Sequence, residues 1–438
     1  MTKTASNAKP RILFISALNP LKGSAILGWD YYMAFKQQGY DIDFLTRKPV
    51  GGHPELISVL NRRRSALLYL RKLWGQLRQG SFKRQHPLDG FSFFYKNDKE
   101  PPVPTWMVLS RIRKQYDLVM VLFWNKLISA ATLDAIYEQQ HTPMFMIPVD
   151  YSPMTGGCHF PVDCDGYQHR CGKCKAWKSE NPTDFTRQNM EYREQVYSKI
   201  KPVFFMNSFM RERFYAKSSL TAGHRIEDIL LAINDEQFRP LDRSELRLKY
   251  GIPATKKFIA FFGSQYLSTA TKGMKYLMQA LGIWYEALTP QQRDEVMIVS
   301  AGHPSEEISG NIRFDYQNFG YVDFSVLPEL YALADVYLSP PVFDAGPMMV
   351  NQAMSCGTPV VAFEVGTAMD VVKNQGTGYC AKLKDVNDFA KGIDMLYRLG
   401  ADGRKPYSDR CRKFALANTS YRSCVDKLMA VYRGLSKE

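Results

Sequence analysis

The chain has no apolar run long enough to cross a bilayer, which sets aside an integral channel or transporter built of spanning helices. It lacks an internal repeat and a low-complexity segment. It also lacks a full dinucleotide fingerprint, the Gly-x-Gly-x-x-Gly turn that opens many nucleotide-binding units. Little at the N-terminus suggests a signal peptide. The apolar part of MTKTASNAKPRILFISAL is short, follows a proline and reads as a first strand. A cytoplasmic location is therefore expected. Cysteine is scarce, with eight in 438 residues, and Cys356, Cys380, Cys411 and Cys424 are scattered as ordinary thiols.

What is present is typical of a folded soluble protein: 45% hydrophobic and 23% charged residues. The length implies two or three domains. The formal net charge of +14 favours anionic partners: nucleotide phosphates, an anionic membrane surface or nucleic acid.

Buried-strand patterns at 12–17, 41–46, 91–95, 117–123, 144–149, 202–206 and 228–233 alternate with amphipathic helical stretches. That alternation predicts right-handed parallel βαβ units and one Rossmann-like domain over 1–236. A second α/β series has strands at 258–262, 296–301, 314–319, 336–338, 360–363 and 378–381. It predicts a second Rossmann-like domain over 237–405, followed by a helical tail over 406–438.

In the first domain, Lys22, Gly23 and Ser24 lie in a small-residue turn between a strand and a helix, where a ligand can come close to the backbone. Residues 60–86 carry Leu67, Leu70, Trp74 and Leu77 at helical spacing, with Arg64, Arg71 and Arg78 beside them. Such a helix suits an anionic membrane surface, or it packs its stripe on the sheet with the arginines in water.

Four cysteines cluster at Cys158, Cys164, Cys171 and Cys174 within TGGCHFPVDCDGYQHRCGKCKAW. Four thiolates at this spacing can close a structural zinc site, with His159 or His169 as substitutes for one of them. Two disulfides or unlinked thiols are the alternatives. A fully ligated zinc would leave no open position for catalysis.

In the second domain, a strand ends at Gly263-Ser264, and Thr271-Lys272-Gly273 precedes a helix over 274–287. Lys272 and that helix start suit a diphosphate; the plainer alternative is a solvated lysine. The stretch from Asp335 to Asp370 reads strand, loop, helix, strand. Asp344, Ala345, Gly346 and Pro347 lead into a helix that begins at Met348-Met349 and contains Gln352. The free N–H groups and dipole of such a helix start make an anion site. Asp344 is also placed to cap that helix.

This last stretch resembles the donor-binding signature of family 4 retaining glycosyltransferases of the GT-B fold. Ala353-Met354 and Gly357-Thr358-Pro359 fix the register. The family's two acidic positions then fall on Asp344 and Gln352, and its glycine on Pro347, with Gly346 one place earlier. Lys272 matches the lysine of the family's Arg/Lys pair, whose arginine position holds Ser264. Phe319-Gly320-Tyr321-Val322-Asp323 matches the loop beside the nucleobase. Asp150 remains where many relatives carry a His-Asp pair, without the histidine. The insertion opening TGGCH is similar to that of a bacterial, Cys-rich subset that acts in surface-polysaccharide synthesis.

The resemblance implies an α/β GT-B fold: two Rossmann-like domains facing a central cleft, with a C-terminal helix crossing back. It implies a retaining, metal-independent transferase of hexosyl type. The donor would be a nucleotide sugar, contacted by Ser264, Lys272, Tyr321, Gly346, Met348, Met349 and Gln352. Asp344 and Asp150 would be catalytic, Lys22, Gly23 and Ser24 would face the acceptor, and the acceptor would be a glycan or a lipid-linked glycan at the inner membrane face. A degenerate GT-B binding subunit and a zinc-containing nucleic-acid-binding protein are the rival readings.

Overall fold

A computed structural model describes residues 9–21, 23–79, 87–88, 90–93, 97–373 and 375–435. The chain forms two units. The first gathers the chain through Met206, Arg211–Asp228 and the end from Met429; the second holds Asn207–Met210 and Ile229–Leu428.

The first unit is built on seven parallel strands: β1 (Ile12–Ile15), β2 (Ile42–Thr46), β3 (Ile57–Ser58), β4 (Leu118–Val121), β5 (Met144–Met146), β6 (Val203–Met206) and β7 (Ile226–Asp228). Their order is β3-β2-β1-β4-β5-β6-β7. The sequences ILFI, LVMV and VFFM are buried at every position. Helices covering both faces make continuous apolar runs, rather than alternation, the strand pattern of a parallel sheet. Helices Ile26–Gln37, Ala130–Gln140 and Phe185–Ile200 supply the crossovers.

The third strand differs from the expectation at 91–95. The edge strand is the two-residue Ile57–Ser58, too short to leave a hydrophobic pattern. Phe93 makes an isolated antiparallel bridge with Cys158 instead. Its ring packs edge-on against Trp177 and Phe185, at 5.5 and 5.9 Å. Positions 94 and 95 lie outside the described residues. The last strand of this sheet is also earlier than 228–233, because Ile233 pairs with Ser420 in the second unit.

The second unit has six parallel strands: β8 (Phe258–Ser264), β9 (Val296–Gly302), β10 (Asp315–Asn318), β11 (Val336–Ser339), β12 (Val360–Phe363) and β13 (Gly378–Ala381). Their order is β10-β9-β8-β11-β12-β13. Two apolar cores flank this sheet. One places Leu277, Trp284, Phe389 and Ile393 beneath helices Met274–Ala287 and Val386–Arg398. The other places Tyr331, Met354, Cys411 and Ala415 beneath helices Leu327–Leu333, Met348–Ser355 and Gly400–Asn418. The expected tail is two helices, Gly400–Asn418 and Tyr421–Leu435, and Pro406 lies inside the first of them.

Both sheets follow the doubly wound order 3-2-1-4-5-6. The order reverses between β1 and β4 in one sheet and between β8 and β11 in the other. In open α/β sheets ligands bind outside the carboxyl ends of the strands at such a reversal. The loops after β1, β4 and β5, and after β8, β9 and β11, are thus where chemistry belongs.

Candidate functional site

In the second unit the loops after β8 and β11 meet. Lys272 ends a short turn, Ala270–Lys272, and its Nζ lies 2.9 Å from Oδ2 of Asp344. Two candidates 72 positions apart in sequence are therefore ion-paired at the reversal point. Gly273 makes the approach possible. Its φ is +67°, and a Cβ there would lie 1.9 Å from the carbonyl oxygen of Pro340.

Asp344 does not cap the following helix. Its Oδ1 accepts from the N–H of Gly346 at 3.1 Å, closing a local turn. Pro347 occupies the N-cap of Met348–Ser355, and no side chain caps that helix. The uncapped N–H groups and dipole stay available to an anion at the strand ends. Met348 and Met349 are half-buried against the core. Met349 covers Gly263, where a Cβ would lie 2.6 Å from its Cε.

Two expected donor contacts are turned inward. Ser264 is 1% exposed, and its hydroxyl donates to the carbonyl of His303 at 2.5 Å, tying the end of β8 to the loop after β9. Gln352 is also 1% exposed, and its Oε1 accepts from the Tyr331 hydroxyl at 3.0 Å. Burial raises the Tyr331 phenol well above its usual value, so it stays a donor. The Gln352 Nε2 is buried with no hydrogen-bond partner.

Tyr321 is 76% exposed beyond β10. The structure adds two residues the sequence gave no signal for. The Tyr266 ring lies 3.8 Å from that of His303 between centroids, tilted by 32°, and the His303 ring lies 6.5 Å from that of Tyr321. Lone aromatics in loops carry no periodicity by which to find them.

In the first unit, Lys22 lies outside the described residues. Gly23 has φ +55° with open space where a Cβ would be, and it starts the short turn that includes Ser24. Asp150, just past β5, is held from several sides. Oδ1 accepts from the N–H of Ser152 at 2.7 Å, and Oδ2 accepts from Asn125 Nδ2 at 3.2 Å. Its carbonyl accepts from the Tyr215 hydroxyl at 2.7 Å.

Asp150 Oδ2 is also 3.2 Å from Nδ1 of His159. The histidine missing from strand five is thus supplied by the cysteine loop. That loop turns back through Gly157, at φ +128°. At Gly156 a Cβ would lie 2.5 Å from the Thr186 carbonyl oxygen. His159 is then fixed at its backbone: its N–H donates to Ser92, and its carbonyl accepts from the N–H of Tyr151. Below the loop, Arg193 and Asp98 form an ion pair of 2.6 Å with both side chains fully buried. Arg193 also donates to the carbonyls of Ser152 and Thr155.

The expected zinc site is not formed. Cys158, Cys164, Cys171 and Cys174 do line one cavity, of about 370 Å³. Yet no three His, Cys, Asp or Glu side chains among the described residues are grouped as a metal needs. Burial pushes the Cys158 and Cys171 thiols up to about 12. Nor does the loop depend on a metal for its backbone bonds. Asp184 accepts from the N–H of Cys174, Thr186 Oγ1 from that of Gly172, and the Asn181 carbonyl from that of Lys173. All eight cysteines are free thiols, so the disulfide alternative is not realised.

The basic amphipathic segment forms helix Arg62–Gln79. Its stripe is not packed away at the positions described. Leu67, Tyr69 and Leu70 are 50%, 63% and 52% exposed. Arg64 pins the helix by donating to the carbonyls of Val59 and Met107 and to the Ser110 hydroxyl. The short helix it reaches, Thr105–Leu109, exposes Trp106 by 57%. No helix of the described residues is long and apolar enough to span a membrane.

Two parallel-sheet Rossmann-like units, one with an ion-paired lysine and aspartate at its reversal point, define an α/β protein of the GT-B kind. Comparison with known proteins narrows this. Residues 256–398 match the family model described as glycosyl transferases group 1. An uncharacterized glycosyltransferase of Methanocaldococcus jannaschii is 26% identical over 160 residues, 35% of this chain and 39% of that protein. A D-inositol 3-phosphate glycosyltransferase of Mycobacterium tuberculosis is 27% identical over 221 residues, 48% of this chain and 44% of that protein. The alignments thus span about two fifths of the length of these relatives. Among solved structures, sucrose-phosphate synthase from Thermosynechococcus elongatus superposes with a TM-score of 0.64 at 16% identity, covering 98% of this chain and all of that one. Anabaena HepE in complex with UDP-glucose superposes with a TM-score of 0.58 at 15% identity, covering 97% of this chain and all of that one. Residues 256–398 are thus similar to group 1 glycosyl transferases, and the chain shares the fold of these solved structures.

Proposed function

We propose that the chain is a retaining glycosyltransferase. It takes a sugar from a nucleotide-sugar donor bound on the second unit and passes it to a hydroxyl of a glycan or lipid-linked acceptor bound on the first. The observation that carries this reading is the Lys272–Asp344 pair at the reversal point of the second sheet, beside an uncapped helix start. It lies inside the segment that matches the group 1 family.

Each group has a task in this reading. Lys272 and the N–H groups of Met348 and Met349 steady the donor diphosphate as negative charge builds on it. Asp344 accepts hydrogen bonds from sugar hydroxyls once Lys272 turns to the phosphates. Tyr266, His303 and Tyr321 offer aromatic faces to the base. These groups supply positive charge without a catalytic metal. UDP-glucose, present in the HepE complex, is the first donor to test. The TGGCH insertion favours a role in polysaccharide synthesis. The test is thermal shift and turnover with a panel of nucleotide sugars. A donor at 100 times its Kd stabilises by about 2.7 kcal/mol. No shift and no turnover with any of them would overturn the reading.

A binding subunit without turnover is the second reading. Ser264 and the Gln352 oxygen, both engaged within the protein, favour it. Donor binding with no transfer to any acceptor would select it.

The acceptor side of the proposal includes an anionic membrane surface. From 56 through 88 the sequence has eight Lys and Arg and no Asp or Glu. The exposed Leu67, Tyr69 and Leu70 lie on the helix that also carries the exposed Arg62 and Arg63, and Trp106 is exposed on the short helix Arg64 reaches. Apolar and aromatic side chains in a segment rich in basic residues and without acidic ones are what an interfacial element presents to acidic lipid.

A further inference from the structure

We propose that a cavity at the amino ends of β11 and β12 binds a phosphate-bearing small anion, either free phosphate or the phosphate monoester of a small metabolite. The site stands whether or not the chain transfers sugar. It lies wholly in the second unit, at the strand edge opposite the one that carries Lys272 and Asp344. Asp335 precedes β11 whereas Asp344 follows it, and Gly357 and Thr358 precede β12. The cavity holds about 340 Å³, within the range of about 300–1,000 Å³ of small-molecule sites.

Its walls are cationic. Arg243, Arg404, Lys405 and Arg412 line it together with two carboxylates, Asp335 and Asp409, so two positive charges are left unmatched. Asp335 is shared between two arginines: its Oδ1 lies 3.1 Å from Arg243 and accepts from Arg404 at 2.8 Å. Its Oδ2 accepts from the N–H of Ile259. Asp409 pairs with Lys405 at 3.3 Å. Arg412 donates to the carbonyls of Asp235, Phe238 and Ser355. Carbonyls accept its hydrogen bonds without cancelling its charge, and burial lowers the Arg412 guanidinium below its usual value. A phosphate monoester carries about 1.5–2 negative charges at pH 7, and guanidinium forks suit its oxygens.

The cations are ordered in advance. Each arginine closes the end of a helix. Arg243 donates to the carbonyls of Ala332 and Leu333, Arg404 to those of Leu396 and Tyr397, and Arg412 to that of Ser355. The partial negative charge of those helix ends offsets part of the guanidinium charge and fixes where it sits. Arg404, Ser408 and Arg412 are spaced four apart on helix Gly400–Asn418, which puts them on one face. One donor is left over. Arg404 is 5% exposed, and its Nε is buried with no hydrogen-bond partner. Such a group is costly, and native structures rarely keep one without a use. An anionic oxygen is the acceptor it lacks.

The test uses the full chain at low ionic strength, with inorganic phosphate and glucose 6-phosphate as probes and sodium chloride of equal ionic strength as the blank. The variants are Lys405→Glu, Arg412→Gln and Lys272→Ala, read by titration calorimetry and thermal shift. Wild type should bind at least one probe saturably. Arg412→Gln should weaken that binding at least about tenfold, as loss of a charged hydrogen bond does. Lys405→Glu should weaken it at least about threefold, the smaller effect suiting a side chain that is 74% exposed. Lys272→Ala should bind the probe as wild type does. Both sources support the site: tighter binding of the ester identifies a phosphorylated metabolite, and equal binding identifies free phosphate. UDP affinity should be unchanged in Lys405→Glu, so failure of the donor reading appears in UDP binding alone. No saturable binding by wild type overturns the site. So does binding that Lys272→Ala loses while Lys405→Glu and Arg412→Gln keep it, which would place the probe at the donor loops. A merely structural role for the arginines would lower the unliganded Tm of Arg412→Gln and leave probe affinity in Lys405→Glu equal to wild type, which also overturns the site. If Arg412→Gln does not fold, Lys405→Glu decides.

Discussion

Replacing Lys272 by alanine separates donor binding from folding, and the structure gives the size of each effect. The Lys272 side chain is 39% exposed and Asp344 is 16% exposed. An ion pair that open to solvent contributes at most about 1 kcal/mol, so Lys272→Ala should lower Tm by only a few degrees. Binding is another matter. A charge-assisted hydrogen bond from lysine to a phosphate oxygen contributes about 1.5–3 kcal/mol, a 10- to 150-fold change in Kd. The loss is compounded because Asp344, stripped of its partner, would face a diphosphate as an uncompensated carboxylate. Asp344→Asn should do the opposite to diphosphate affinity. It removes the anion that competes for Lys272, so UDP alone should bind as well as or better than to wild type, while turnover of the intact sugar nucleotide falls. Titration calorimetry with UDP and UDP-glucose on the three proteins reads this directly. Equal affinity of wild type and Lys272→Ala would refute the role of Lys272, whatever the activity.

Breaking the buried pair beneath the cysteine loop tests the first unit. Arg193→Met leaves Asp98 charged and buried and two carbonyls without a donor; a loss of about 3–5 kcal/mol is expected, and chemical denaturation showing less than 1 kcal/mol would refute it. The cysteine cluster has a pH signature. Because burial raises Cys158 and Cys171 to about 12 from an unfolded value of 9.0, the unfolded chain ionises first as pH rises. Their contribution is fully present below pH 9 and is lost toward pH 12, so stability should fall across that window. Native alkylation at pH 8 should be slow with or without a chelator; chelator-triggered alkylation would show thiolates held on a metal and refute the neutral-thiol description. Sedimentation with vesicles tests the basic helix. Binding to phosphatidylserine vesicles should exceed binding to neutral ones, weaken with salt, and drop when Leu67, Leu70 and Trp106 are replaced by serine; retention of binding by that triple variant would overturn the docking face.

Much of this architecture is legible in the chain because buried parallel strands leave continuous apolar runs. The helix Met274–Ala287 and the strands Val360–Phe363 and Gly378–Ala381 coincide with their sequence signals. The Lys272 and Asp344 candidates were legible for a different reason: each sits beside a glycine-bearing turn next to a strand end. What sequence cannot show is direction. Ser264 and Gln352 occupy site positions, yet their oxygens are committed to His303 and Tyr331. The stripe on Arg62–Gln79 has the period of a packed face, yet Leu67 and Leu70 remain exposed. Period reports that a helix has two faces, not which of them is covered.

His159 shows the same limit from the other side. Read along the chain, it belongs to the cysteines. In space it belongs to Asp150, because Gly156 and Gly157 let the loop fold back over Thr186 and return to the strand it left. The cysteine segment thereby carries an imidazole to the carboxyl edge of β5. The doubly wound order explains why that destination matters. With β1 and β4 at the reversal in one sheet, and β8 and β11 in the other, the strand carboxyl ends of each unit are where a ligand of such a sheet belongs. Lys272 and Asp344 meet there in the second unit, and Asn125, Asp150 and His159 gather at that edge in the first. Removing His159 should therefore disturb the acceptor and leave the donor untouched, and removing Lys272 should do the reverse. A pair of variants that failed to separate in this way would show that the two sheets do not divide the reaction between them.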